Sequence, residues 1–153
     1  HTNDAPSAIT RLVEMGIEPY LVSSCLEGVI AQRLVRRLCK SCTEQIVPDE
    51  TIVDEIRSIY PERTKDATFF AGRGCPECKF TGYRGRIALF EIMLLTDELR
   101  SLIVHRKPAT EIKKVAMRSG LVTLRLDGWS RVLEGITTID EVLRVERKAD
   151  TEK

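Results

Sequence analysis

The sequence predicts an α+β protein with a small metal-stapled subdomain in its middle. Three observations predict it. Two Cys-x-x-Cys pairs, Cys39/Cys42 and Cys75/Cys78, lie 32 residues apart. Apolar residues at helical spacing, with capping signals, occupy the two ends of the chain. Short β-branched or aromatic runs, bounded by glycine, sit beside the cysteine pairs.

The elements follow in order. A helix is expected from Asp4 to Met15, capped by Asp4 or Ser7, with Pro6 near its start and Gly16 after its end. Ile9, Leu12 and Val13 form its apolar side, with Met15 at the margin. Pro19 opens a second helix carrying Leu21, Val22, Cys25 and Leu26 on one flank. The run Gly28–Leu38 is ambiguous: Ile30, Leu34 and Leu38 recur every four residues, yet Val29, Ile30 and Val35 are β-branched. Between the cysteine pairs a short helix, Asp49–Tyr60, presents Ile52, Val53, Ile56 and Ile59 and is stopped by Pro61. Phe69 and Phe70 form a short strand before Gly72-Arg73-Gly74, and Thr81–Arg86 reads as a turn into a strand, Ile87–Leu94.

The last third is helical. Thr96 caps Asp97–His105, Pro108 starts Ala109–Arg118, and Gly120 ends it. A helix from about Thr123 to Leu133 turns Leu126, Trp129 and Leu133 to a core. Gly135 ends that one, Thr138 caps Ile139–Val145, and the tail from Glu146 is charged and frayed. In domain terms this gives residues 1–38, a tetracysteine subdomain over 39–95, a helical subdomain over 96–146 and a charged tail over 147–153.

Composition narrows the function. The 153 residues are 42% hydrophobic and 31% charged, a globular balance. A formal net charge of +1 gives no global pull toward nucleic acid or an anionic membrane. No apolar run reaches the roughly 18–20 residues needed to span a bilayer, so direct membrane insertion is not expected. The start His1-Thr2-Asn3-Asp4 has no basic, apolar leader and no initiator Met, which predicts a piece of a longer protein. Five cysteines, four of them in Cys-x-x-Cys pairs, suit an intracellular metal site in a reducing compartment.

Four thiolates are the donor set that zinc favours in closed structural sites. Two residues between ligands let a tight turn aim both sulfurs at one ion. Cys39, Cys42, Cys75 and Cys78 are therefore the candidate ligands of one structural Zn²⁺, with Lys40 and Lys79 offsetting a net site charge of −2. The long insertion is tolerable because closure cost grows slowly with loop length. A stretch of roughly 55 residues with few large apolar side chains has a marginal core, and metal binding supplies folding free energy to it. Two disulfides, an iron site and a redox dithiol remain alternatives. A catalytic zinc is disfavoured, since four thiolates leave no open position.

Other residues have plainer readings. Cys25 reads as a small buried hydrophobe and His105 as a solvated helix cap. Tyr83, Arg84 and Arg86 suggest a solvated hairpin more than a nucleic-acid patch. The cluster Arg33, Arg36, Arg37 and Lys40 has the better claim to a partner.

Several blocks of the chain carry a family resemblance. They are His1-Thr2-Asn3-Asp4-Ala5-Pro6-Ser7-Ala8, the run Ala31–Cys39, Gly74-Cys75, Thr81–Arg86 and the stretch Glu134–Arg144. Together they resemble the C-terminal part of the type II secretion and type IV pilus assembly ATPases. The resemblance implies a parent that is a homohexameric ATPase, cytoplasmic and peripheral at the bacterial inner membrane. There it would drive pilus or pseudopilus assembly through an inner-membrane platform protein. It further implies that Val29–Leu38 is a strand finishing a RecA-like domain, and that His1 belongs to a "His box" near the nucleotide. No GxxxxGK[ST] loop and no Walker B acidic residue occur in these residues. ATP and Mg²⁺ are thus expected only in the full-length parent, and this chain is not expected to hydrolyse ATP or to hold a hexamer alone. The competing reading is a free-standing zinc-ribbon module that binds protein or nucleic acid; the near-neutral charge counts against nucleic acid.

Overall fold

The structure, a computed structural model, describes residues 2–151, with side chains to residue 145. Helices α1 (Ala5–Glu14) and α2 (Pro19–Cys25) lead into strand β1 (Gly28–Leu38). Strand β2 (Thr43–Ile46), helix α3 (Glu50–Ile59), the single turn α4 (Pro61–Thr64) and strand β3 (Phe69–Gly72) follow. A 3₁₀ turn at Pro76–Cys78 precedes β4 (Tyr83–Leu94) and helices α5 (Asp97–Val104), α6 (Ala109–Arg118), α7 (Leu124–Leu133) and α8 (Ile139–Thr151). The expected α+β class is what the structure shows. None of the described helices is long and apolar enough to cross a membrane.

The chain divides into two compact units that do not follow chain order. The first holds the described residues up to Gln32 together with Phe90–Leu124; the second holds Arg33–Leu89 and the described residues from Arg125 on. The first unit is mostly helical. Asp4 caps α1 by accepting the Ser7 N–H at 2.9 Å, and α1 buries Ala5 and Ile9 beside Val22 of α2. Met93, Leu99, Ile103, Ile112 and Val115 complete this core.

At its centre lies Glu91, almost fully buried on β4. Its carboxylate accepts the Ala5 N–H at 2.7 Å and the Leu124 N–H at 3.4 Å, the first free donors of α1 and α7. Helix N-termini are suited to negative charge. Burial nevertheless raises the Glu91 pKa, the two N–H donors pulling the other way.

The second unit packs Ile56 of α3, Phe69 of β3, Trp129 and Val132 of α7, and Ile139 and Val142 of α8. The Trp129 indole N–H donates to Glu55 Oε1 at 2.9 Å. Arg125 holds both oxygens of the same carboxylate at 2.6 Å. A carboxylate lowered in pKa by that guanidinium thus closes the one polar point of the indole.

The two sheets are two-stranded, β1 with β4 and β2 with β3. Glu27 accepts the Leu95 N–H at 3.0 Å, and Gly82 accepts the Cys39 N–H at 3.0 Å, so β1 and β4 run in opposite directions. The ambiguous Gly28–Leu38 run is therefore a strand; its β-branched content outweighs its four-residue spacing. In β4, residues 89, 91 and 93 are buried while Phe90, Ile92 and Leu94 face outward.

Three local expectations are corrected. Strand β4 begins at Tyr83, four residues before Ile87, because Tyr83 is tied down. The Arg36 guanidinium stacks 4.0 Å over its ring, and its hydroxyl meets Thr138 Oγ1 at 3.0 Å. Pro61 stops α3 and also starts α4, as proline at a first helical turn permits. Cys25 is exposed, not buried: α2 turns Pro19, Val22 and Ser23 inward, leaving Leu21 and Cys25 outside.

Candidate metal centre

The cysteine pairs meet because the insertion between them closes on itself. Strands β2 and β3 pair antiparallel, with Thr43 opposite Gly72 and Ile46 opposite Phe69. Cys42 precedes the first residue of β2, and Gly74-Cys75 follow the end of β3. The ladder therefore delivers both knuckles to one point. Continuing it, the Arg73 N–H donates to the Cys42 carbonyl at 3.0 Å. Cys39 is fixed by the end of β1, through the Leu38 N–H on Ile136 O at 2.9 Å and its own N–H on Gly82 O. The Thr43 hydroxyl closes the first knuckle by donating to Cys39 O at 2.6 Å.

Close backbone approach lets the second knuckle reach the first. A Cβ on Gly72 would lie 2.2 Å from Gly82 O, and one on Gly82 would lie 2.4 Å from Gly72 O. No other residue fits at either position without moving the main chain.

All four sulfurs lie within 4.8 Å of one another. The Sγ distances are 3.8 Å for Cys39–Cys75, for Cys42–Cys78 and for Cys75–Cys78. These are three of the six edges, and a regular tetrahedron of that edge would have its vertices about 2.3 Å from its centre, a metal–thiolate bond length. Cys39, Cys42 and Cys78 are buried and Cys75 half-buried, and the four form a cluster of their own.

The electrostatics ask for a cation. Burial raises the Cys42 thiol to about 12, with the Gly74 N–H pulling down and the neighbouring thiols pushing up. Burial also pushes on Cys78, but N–H donors from Cys75 and Gly82, each 3.2 Å from its sulfur, bring it down to about 6. Four thiolates so close cannot all ionise unless a cation sits among them. The N–H···S bonds supply the outer support that orients such ligands and disperses their charge. The site can hold one metal ion in a closed shell.

The other candidates fall outside this centre. His1 lies outside the described residues. The His105 ring meets the Ser101 carbonyl at 2.8 Å, at the end of α5, as a helix cap would. Of the basic run, Arg36 is committed internally: its guanidinium holds Glu141 at 2.8 and 3.0 Å, and its own N–H reaches the second oxygen at 2.7 Å. Tyr83 and Arg84 are likewise engaged, the latter with Glu77 at 3.2 Å.

Glu141 is the residue the sequence reading missed. It is 1% exposed and also clamped by Arg144 at 2.8 and 3.0 Å. Burial opposes its charge, yet the two arginines hold its carboxyl down at about 2. Thr137 adds a bond to Arg36 O at 2.8 Å. The available signal was Thr138-x-x-Glu141, a capping-box pattern.

Comparison with known proteins shows which family the sequence matches. Residues 1–144 match the family model described as "Type II/IV secretion system protein". The type IV pilus assembly ATPase PilB of Thermus thermophilus is 48% identical over 94% of this chain and 16% of its own length. The type II secretion system protein E of Pseudomonas aeruginosa is 47% identical over 97% of this chain and 29% of its own. The type II secretion system ATPase E of Vibrio cholerae is 41% identical over the same shares, 97% and 29%. The chain thus spans less than a third of the length of these relatives. Matched along nearly its whole length by one family model, the chain belongs to the type II/IV secretion system protein family.

Proposed function

We propose that the chain is the C-terminal, zinc-holding part of a secretion or pilus-assembly motor ATPase. The observation that carries the metal is the sulfur geometry: 3.8 Å edges, all-thiolate donors and a closed shell fit structural zinc and leave no position for a reacting water. The family match and the names of the relatives support the motor. Nucleotide chemistry then resides in the remainder of the protein, since no P-loop pattern occurs in these residues. ATP and Mg²⁺ would be held there, with His1 contributing beside the nucleotide. In this reading the parent works as a homohexamer at the cytoplasmic face of the inner membrane and acts on a platform protein. Residues 1–38 finish its RecA-like domain, 39–95 form the zinc subdomain and 96–146 the helical one.

Within this chain the residues have mechanical tasks. The four cysteines tie β1, β2, β3 and the start of β4 to one ion. The outward face of Ile30, Phe90, Ile92 and Leu94, unusually apolar for a free surface, suits contact with further parts of a motor.

Metal and thiol analysis tests the reading. About one zinc per chain is expected, with Cys25 alone reacting with a thiol reagent before metal removal and all five cysteines afterwards. A metal-free chain that stays folded after alkylation of all five would sink it.

A further inference from the structure

Phe80 follows the ligand turn and stands outside the packing described so far. Its backbone is left-handed (φ 60°), Lys79 before it is too (φ 53°), and its side chain is 75% exposed. The turn itself requires that conformation. It lets the Phe80 N–H reach Cys75 O at 2.9 Å and sets the Phe80 carbonyl against Gly74. Glycine or asparagine would satisfy the same backbone with less strain, and a bulky residue there is an outlier. Among the described residues, Phe80 belongs to no buried apolar cluster.

The two knuckles and the segments beside them carry exposed cations. Lys40, Arg73, Lys79 and Arg86 are exposed and, among the described residues, have no ion-pair partner. Glu77 is the one acidic side chain in the two knuckles, and Arg84 and the Ser41 hydroxyl already hold it, at 3.2 and 2.7 Å. Those four cations exceed the net −2 of a zinc–thiolate core, so the tip presents an exposed aromatic in a net positive setting. Strained, over-determined residues with no packing role are found where a protein binds. A buried aromatic anchor within a charged rim is the usual form of an interface hot spot.

We propose that the tip centred on Phe80 is a docking anchor for a protein partner whose apolar pocket is rimmed by aspartates and glutamates. A lipid surface would reward an inserted ring at any backbone angle. A fixed left-handed presentation favours a pocket of defined shape. The proposal rests on the motor reading only for its choice of probe, the cytoplasmic domain of the inner-membrane platform protein of the same system.

The test titrates that purified domain with the zinc-loaded chain by fluorescence anisotropy. Phe80→Asn is expected to weaken binding about tenfold or more, while keeping its zinc and an equal or higher Tm. Lys79→Glu should weaken binding as well, and added salt should do the same. Unchanged affinity of Phe80→Asn would overturn the proposal, as would loss of zinc in that variant, which would make the ring structural. No binding by the wild-type chain would overturn it too, and so would a Phe80-dependent affinity found only on phosphatidylglycerol vesicles. Zinc content and ATPase activity of the full-length protein are read separately. Their absence would remove the motor reading, whereas an indifferent Phe80→Asn removes the anchor alone.

Discussion

Glu141 shows what a single buried charge does in this protein. Its carboxylate meets two guanidinium groups and one backbone N–H, so removing it leaves Arg36 and Arg144 without their shared partner. Glu141→Ala is expected to cost about 3 kcal/mol of unfolding free energy, the range for breaking such a cluster, read from denaturant melts. The acid side has a definite sign. The folded-state pKa, about 2, lies below the ordinary glutamate value, so the contribution is full above about pH 5. It is lost as pH falls toward 2. Glu141→Gln should flatten that acid limb of a stability profile. Glu91 works in the opposite direction: its raised pKa means that the native state tolerates its proton better than the unfolded chain does. The role of Glu141 is local only in part and that of Glu91 not at all. Thr138 and Arg144 each lie three residues from Glu141, but Arg36 is 105 residues away and the Ala5 partner of Glu91 is 86 away, and no spacing rule reaches so far.

At the scale of elements, helices were legible and sheet partners were not. Capping residues Asp4 and Thr96 and the terminating glycines are local signals, and α1 and α5 start where those caps predict, while Asp49, expected as the first residue of α3, is its cap instead. Strand β2 went unread because four residues, Thr43–Ile46, carry no period of their own and gain identity from β3. Cys25 was misplaced because a seven-residue helix gives too few turns to fix its inner face. The cysteine ligands, in contrast, announce themselves by spacing alone, since a metal knuckle is a local motif. The Gly72–Gly82 contact was beyond any such rule. Gly82→Ala would force carbonyl and Cβ together at 2.4 Å, in a residue whose φ is 78°. It is expected to lower Tm by several degrees and to leave less than one zinc per chain by metal analysis.

For the molecule as a whole, each unit has an apolar core of its own, and the four candidate ligand cysteines all lie in the second. Metal removal should therefore act unevenly. Treatment with a chelator is expected to open β2, β3 and the knuckles to hydrogen exchange, while amides of α1, α5 and α6 keep their protection. Uniform loss of protection would show that the first core does not stand without the ion.

The pairing of Thr43 with Gly72 has a further consequence. Counted along the backbone, the two knuckles are far apart; counted across the ladder, they are neighbours. Once the insertion has folded, the ion no longer has to gather a long slack loop, and most of the entropy of chelation has been spent beforehand. Affinity for the ion is then a gauge of how well α3 and Ile56 pack, even though neither touches a sulfur. The insertion is thus free to vary only on its solvent side. Exposed positions in residues 47–68 can change without disturbing the centre, whereas Glu55 and Ile56, packed on Trp129, cannot.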